Sequence, residues 1–106
     1  MGELCALAPH SATRACYEGI GNNVPPDADF DAARVRTLCE LASSNPLNQL
    51  YCKSLAANSL FVGGSGKKGD SEAACAGLMG KSLMYCRAYA RNEANILTKL
   101  LPPETL

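Results

Sequence analysis

The chain has 106 residues, with ten basic and ten acidic side chains and no tryptophan. This length is that of one domain, and a net charge of zero argues against a broad nucleic-acid-binding surface, which requires concentrated Lys and Arg. No apolar run approaches the roughly 18 residues of a membrane-spanning helix, and a content of 47% hydrophobic residues is too high for a disordered chain. The sequence therefore predicts a single folded domain over residues 1–106.

Abundant Ala and Leu, with few β-branched residues and no alternating pattern, favour an all-α fold. Caps and helix breakers then divide the first half of the chain. A short first helix ends before Pro9, and Pro25 and Pro26 end the second helix. Asp27 or Asp29 is the predicted N-cap of the third. The first three predicted helices cover about residues 3–8, 12–22 and 30–41.

The second half of the chain also contains three predicted helices. Asn45 is a good N-cap, and Pro46 suits the first helical position that follows it. The Gly- and Lys-rich segment 63–69 is predicted to be a flexible loop, and Asp70 or Ser71 caps the helix after it. These fourth, fifth and sixth helices cover about residues 46–60, 71–80 and 81–100.

The six cysteines are separated by 10, 22, 12, 22 and 10 residues. A zinc site uses close pairs such as Cys-x2-Cys, and no such pair is present. An even number of cysteines in a short chain favours three disulfides over buried free thiols, and disulfides indicate an oxidising, extracytoplasmic compartment. The sequence does not open with a signal-peptide pattern, so we expect the chain to be a mature form or an excised domain.

Alignment on the cysteines shows an internal repeat with a period of 34 to 36 residues. This period is typical of helix-turn-helix repeats, and it predicts three stacked helical hairpins, in units of about residues 1–24, 27–62 and 70–101. Each hairpin holds two cysteines with 10 to 12 residues between them, enough chain to turn between two antiparallel helices and bring the cysteines to disulfide distance. The predicted bridges are Cys5–Cys16, Cys39–Cys52 and Cys75–Cys86.

The first unit also carries a motif that is similar to one in a known family. Its sequence Cys16-Tyr-Glu-Gly-Ile-Gly21, followed by Val24, together with the repeat period and one cysteine pair per unit, resembles disulfide-linked Sel1-like repeats, which are relatives of tetratricopeptide arrays. The resemblance implies a secreted or periplasmic protein that binds other proteins.

Two sets of repeated polar residues are candidates for a binding face. An Asn lies six residues after the second cysteine of each unit, and a Tyr lies beside that cysteine. One hypothesis is a polar ladder that binds a peptide backbone, with Tyr as an interface residue. The alternative is that each Asn satisfies a helix end or loop and each Tyr lies in the core. The residues concerned are Asn22, Asn58, Asn92, Tyr17, Tyr51 and Tyr85.

The sequence contains no set of residues that indicates an enzyme, a cofactor or a metal. His10 is the only imidazole, and we interpret it as a turn residue rather than the partner of a nucleophilic cysteine. We therefore predict a non-enzymatic interaction or structural module with a protein or peptide partner. One alternative is a small carrier of lipid or another hydrophobic ligand; another is a thiol-redox protein, whose cysteines would have only Lys53 and Arg87 as basic neighbours. In the carrier hypothesis the cavity is lined by Leu78, Met79, Leu83 and Met84.

Overall fold

A computed structural model describes residues 5, 10–27, 31–63 and 68–91. Within these ranges the protein is all helical, with five helices and no strand, which confirms the predicted fold class. The first predicted helix lies outside the described residues except for Cys5, which is helical. In chain order the helices are α1 (His10–Asp27), α2 (Ala32–Ala42), α3 (Pro46–Gly63), α4 (Lys68–Ala73) and α5 (Gly80–Ala90).

Side-chain caps fix where α2 and α3 begin. The Asn45 Oδ1 accepts a hydrogen bond of 2.8 Å from the Leu47 N–H, as the sequence predicts for an N-cap at that position. The cap of α2 is Asp31, whose Oδ1 accepts from the Ala33 N–H at 3.0 Å. The predicted caps, Asp27 and Asp29, are thus corrected: Asp27 is the last residue of α1, and Asp29 lies outside the described residues.

The end of α1 is a second correction. The sequence predicts that Pro25 and Pro26 end this helix, whereas α1 continues through both residues to Asp27. A proline in a helix lacks one N–H donor and crowds the preceding turn, but its φ already has a helical value. Tertiary contacts can override a local helix-breaking preference, and α1 packs extensively against α3.

The segment around α4 also differs from the prediction. Lys68 and Gly69, the last residues of the predicted loop, are helical, and α4 ends at Ala73 instead of near Gly80. A turn follows over residues 74–77. Gly77 (φ 90°) and Gly80 (φ 59°) both adopt the left-handed conformation, which disfavours other residues. Two such glycines allow the chain to reverse before α5 begins.

The last helix ends earlier than predicted. α5 stops at Ala90 instead of continuing to residue 100, and residues 92–106 lie outside the described part. Two side chains satisfy carbonyl groups in its final turn: Ser71 Oγ donates to the Ala90 carbonyl at 2.8 Å, and Asn58 Nδ2 donates to the Tyr89 carbonyl at 3.0 Å. Helix ends need such partners, so these contacts allow α5 to end there.

Helix α3 lies at the centre of the domain, where it contacts each of the other four helices. Its residues Tyr51 to Ser54 are buried in succession, and Ala56, Ala57 and Leu60 continue the core. The crossing with α1 is especially close, because a Cβ atom built on Gly21 would lie 2.3 Å from the carbonyl oxygen of Cys52. Glycine is therefore required at that point of α1.

Candidate functional site

Three disulfides hold the helices together. They join Cys5 to Cys16, Cys39 to Cys52 and Cys75 to Cys86, with Cα–Cα distances of 5.5, 5.5 and 5.8 Å. These are the pairs that the repeat spacing predicts. All six cysteines are bridged, and every one except Cys16 is buried.

An ion pair lies directly beside the second bridge. Lys53 follows Cys52 and is only 4% exposed, and its Nζ lies 2.9 Å from Oε2 of Glu40, which follows Cys39. A buried ammonium group requires a charged or strongly polar partner, because burial removes its hydration. The Glu40 carboxylate therefore replaces part of the hydration that the Lys53 ammonium group loses when α2 packs on α3.

A second polar cluster connects α1, α3 and α5. The guanidinium of Arg14 donates from Nη2 to the Tyr85 hydroxyl at 3.0 Å and from Nε to Glu18 at 3.3 Å. It also lies over the ring of Tyr51, 5.2 Å from the ring centroid, in a cation–π arrangement. The Tyr85 hydroxyl donates to the Tyr89 hydroxyl at 3.4 Å.

The electrostatics of this cluster favour a structural role. Burial, together with the hydrogen bond to Tyr89, holds the pKa of Tyr85 well above its usual range. Burial alone would lower the pKa of Arg14, but Tyr85 and Glu18 outweigh it and the pKa is raised. Tyr85 thus remains a neutral phenol and Arg14 a cation at physiological pH. The cluster therefore links α1 to α5 through hydrogen bonds between uncharged and charged groups of fixed protonation.

The residues predicted to form a polar binding face occupy different environments. Tyr17, Tyr51 and Tyr85 are all buried and belong to the core, which is the alternative that the sequence allows for them. Asn58 is half-buried and satisfies the end of α5, as described above, whereas Asn22 is exposed. Asn92 lies outside the described residues. The described members of the two sets therefore do not share one exposed face.

The four residues predicted to line a ligand cavity are also separated. Leu78 and Leu83 are half-buried against the core, while Met79 is 82% exposed and Met84 51% exposed. Two clefts of about 250 and 260 Å³ lie elsewhere, and the described residues that line them include none of these four. The lining residues are Ala33, Arg34, Thr37 and Leu38 for the first cleft, and Asn45, Pro46, Leu47, Leu50 and Ser82 for the second.

The exposed surface of α5 carries both basic and large apolar side chains. Lys81, Met84 and Arg87 are exposed and recur at intervals of three residues, so they lie on one side of the helix. Met79, the exposed N-cap residue, precedes Lys81 by two residues at the start of the helix. We call these four residues the α5 face. Another exposed apolar residue, Leu41, is 78% exposed on α2.

The sequence contained a partial signal for this surface. Lys53 and Arg87 occupy equivalent positions in the repeat, each directly after the second cysteine of its unit. Both are recognisable in the sequence as basic neighbours of cysteines, but nothing in the sequence distinguishes the buried Lys53 from the exposed Arg87. The contacts of Arg14 with Tyr51 and Tyr85 have no signal in the sequence, because these tyrosines are on other helices.

Comparisons with known proteins identify no relative. No protein-family model matches the chain, and no curated protein or solved structure is detectably similar to it. Within the described residues, no group of three His, Cys, Asp or Glu side chains could hold a metal ion, and no helix is both long and apolar enough to cross a bilayer. The structure thus defines a small all-α, disulfide-bonded protein.

Proposed function

We propose that this chain is a non-enzymatic, extracytoplasmic interaction module that presents a rigid helical surface to a protein partner. In this proposal the domain consists of three stacked helical hairpins, about six helices in all, with one disulfide in each hairpin. The units of about residues 1–24, 27–62 and 70–101 remain a prediction. The repeat period, which resembles that of protein-binding helical repeats, supports the same kind of function.

The observation that carries this proposal is the combination of buried bridges with large apolar side chains that remain exposed. Each bridge joins residues 11 or 13 positions apart, so the helices are fixed locally before any partner arrives. Leu41, Met79 and Met84 remain exposed on this fixed frame. A preorganised surface loses little conformational entropy on binding, and three disulfides suit an oxidising compartment.

The two alternative functions have less support. A carrier of hydrophobic ligands needs an enclosed apolar cavity, and the residues predicted to line one are divided between the core and the surface. A thiol-redox protein acts through an accessible thiolate, and five of the six bridged cysteines are buried.

A capture experiment tests the proposal. The oxidised chain, biotinylated at a terminal tag, is incubated with an extract of the source organism, and bound proteins are quantified by mass spectrometry. The matched control is the same chain after reduction and alkylation, which removes the bridges. We expect saturable capture of a protein by the oxidised chain, displaced by excess unlabelled chain. Equal capture by the alkylated control, or recovery of lipid instead of protein, would contradict the proposal.

A further inference from the structure

The α5 face differs from the rest of the described surface in carrying cations without carboxylates. Helix α5 contains no Asp or Glu. Among the described residues, no carboxylate pairs with Lys81 or Arg87, whereas Arg91, the next exposed cation, forms an ion pair with Glu72. Lys81 also lies in the first turn of the helix, where the positive end of the helix dipole disfavours a cation. Within the described residues the face therefore carries two cations and no carboxylate.

The cysteine-aligned sequence offers a reason why Arg87 has no carboxylate partner among the described residues. In the second unit the residue after the first cysteine is Glu40, which pairs with Lys53. In the third unit the corresponding residue, after Cys75, is Ala76. The third unit thus keeps the basic residue and lacks the carboxylate that would pair with it. Both Ala76 and Arg87 are exposed, so the missing partner leaves a cation that is free to pair with another molecule.

Exposed methionines supply the apolar part of the same face. Met79 is 82% exposed, the highest value among the large apolar side chains that the structure describes, and Met84 is 51% exposed. Methionine is flexible and polarisable, and it is common on surfaces that bind peptides of varied shape. Lys81 and Arg87 are six residues apart, which corresponds to about 9 Å along the helix axis, with Met84 midway between them.

A membrane surface is the less suitable occupant. Attraction to anionic lipid contributes about 1 kcal/mol for each Lys or Arg near the surface, and lipid-binding segments usually carry four to eight such residues. The α5 face has two, and the described part of α5 exposes no aromatic side chain. A protein segment provides carboxylates at fixed spacing together with apolar side chains, which matches the cations and methionines of this face.

We propose that the α5 face binds an acidic, amphipathic segment of a protein partner, whose carboxylates pair with Lys81 and Arg87 and whose apolar side chains cover Met79 and Met84. This inference rests on the proposed function, because it names the surface and the partner chemistry of the interaction module. It places the interface on α5 and leaves the exposed Leu41 surface of α2 outside it.

The direct test uses a defined peptide. A helical peptide of about 18 residues carries Glu at a spacing of seven residues with Leu between, and a matched peptide carries Lys in place of Glu. Binding is followed by NMR through the methionine methyl signals and by calorimetry. We expect the Glu peptide to shift the Met79 and Met84 signals and to bind at least about tenfold more tightly than the Lys peptide, with weaker binding at higher salt.

Variants of exposed residues localise the interaction. The double variant Lys81→Glu and Arg87→Glu should weaken binding of the Glu peptide at least about tenfold. Ala76→Glu, which restores the carboxylate of the second unit, should also weaken it, because Arg87 then has a partner within the chain. Leu41→Ala is the matched control on α2 and should bind normally. Circular dichroism and the mass of the oxidised chain establish that each variant is folded and bridged.

Four results would overturn the inference. They are equal binding of the Glu and Lys peptides, methyl shifts absent from Met79 and Met84, full binding by the charge-reversed variant, and binding to vesicles of equal parts phosphatidylcholine and phosphatidylglycerol in place of the peptide. The capture experiment separates this inference from the proposed function. If the charge-reversed variant captures the same partner as the native chain, the α5 face is not the binding surface, but the proposed function as an interaction module is retained. If the native chain captures nothing, the proposed function fails first.

Discussion

Helices α3 and α5 contain the same local sequence pattern in opposite surroundings. Each has a Tyr, a bridged Cys and a basic residue in succession, at residues 51–53 and 85–87. In α3 the basic residue, Lys53, is buried and paired with Glu40, whereas in α5 Arg87 is exposed. The difference shows that the same local sequence accompanies a bridge and a buried Tyr in both helices, whereas tertiary position determines whether the adjacent charge is buried or exposed.

The largest expected effect on stability concerns the disulfide bridges, which α3 and α5 both have. Replacing Cys39 and Cys52 with Ala opens a loop of 13 residues, and replacing Cys75 and Cys86 opens one of 11. The chain-entropy model gives about 3 kcal/mol for each, so we expect nearly equal losses in the free energy of unfolding. Denaturant titration under non-reducing conditions measures both. A loss for one pair at half that of the other would mean that the bridges themselves distinguish the two regions.

Among the described glycines, only Gly21 lies at a close helix crossing, where α1 meets α3. Gly21→Ala places a Cβ against the Cys52 backbone, and we expect it to lower the free energy of unfolding by about 2 kcal/mol through overpacking. Gly19→Ala is the matched control, since nothing lies within 4 Å of its Cβ position and Ala favours helix. It should leave stability unchanged or raise it by up to about 1 kcal/mol. Equal effects of the two substitutions in urea titrations would contradict this contact.

The comparison of Lys53 with Arg87 can be tested directly. Lys53→Ala removes a buried aliphatic stem and the ion pair with Glu40, so we expect a loss of about 1 to 2 kcal/mol. Arg87→Ala removes an exposed side chain and should change stability by less than about 0.5 kcal/mol. Thermal unfolding at neutral pH measures both. If the two substitutions destabilise equally, Arg87 has a structural role and the contrast between the helices is lost.

The smallest expected change in stability concerns one buried hydroxyl group in α3. Ser54 is fully buried, and its Oγ has no hydrogen-bond partner among the residues that the structure describes. Burial of an unpaired polar group is unfavourable, and Ala has the higher helix propensity. Ser54→Ala should therefore raise the free energy of unfolding by about 1 kcal/mol, whereas Ser82→Ala, at the half-exposed start of α5, should not. A destabilised Ser54→Ala chain would show that the hydroxyl has a partner.

The sequence predicts the parts of this fold that depend on local or regular signals. The cap at Asn45, the all-α class and the pairing of the cysteines follow from residue chemistry and spacing alone. The passage of α1 through Pro25 and Pro26 does not, because the local preference of both residues is to end a helix. The division between α4 and α5 coincides with two glycines in the left-handed conformation, and the sequence alone does not reveal the backbone conformation of a glycine.

For the α5 face, the sequence predicts which residue types are present but not which of them are exposed. The repeat shows that Lys53 and Arg87 are equivalent and that Glu40 corresponds to Ala76. Which of the two cations is buried depends on the central position of α3, and this position arises from contacts among all five helices. The exposure of Met79 and Met84 is a tertiary property for the same reason, since the apolar pattern around α5 does not distinguish the core side from the outer side.

The order of the bridges has a consequence for how the protein is made. Every cysteine is joined to its nearest unpaired neighbour along the chain, and no bridge encloses another. When the chain emerges from its amino-terminal end into an oxidising environment, the first two cysteines to appear are already a native pair, and the same holds for the next two and the last two. Oxidative folding can thus proceed one bridge at a time in the order of synthesis, without a non-native disulfide that an isomerase must later exchange.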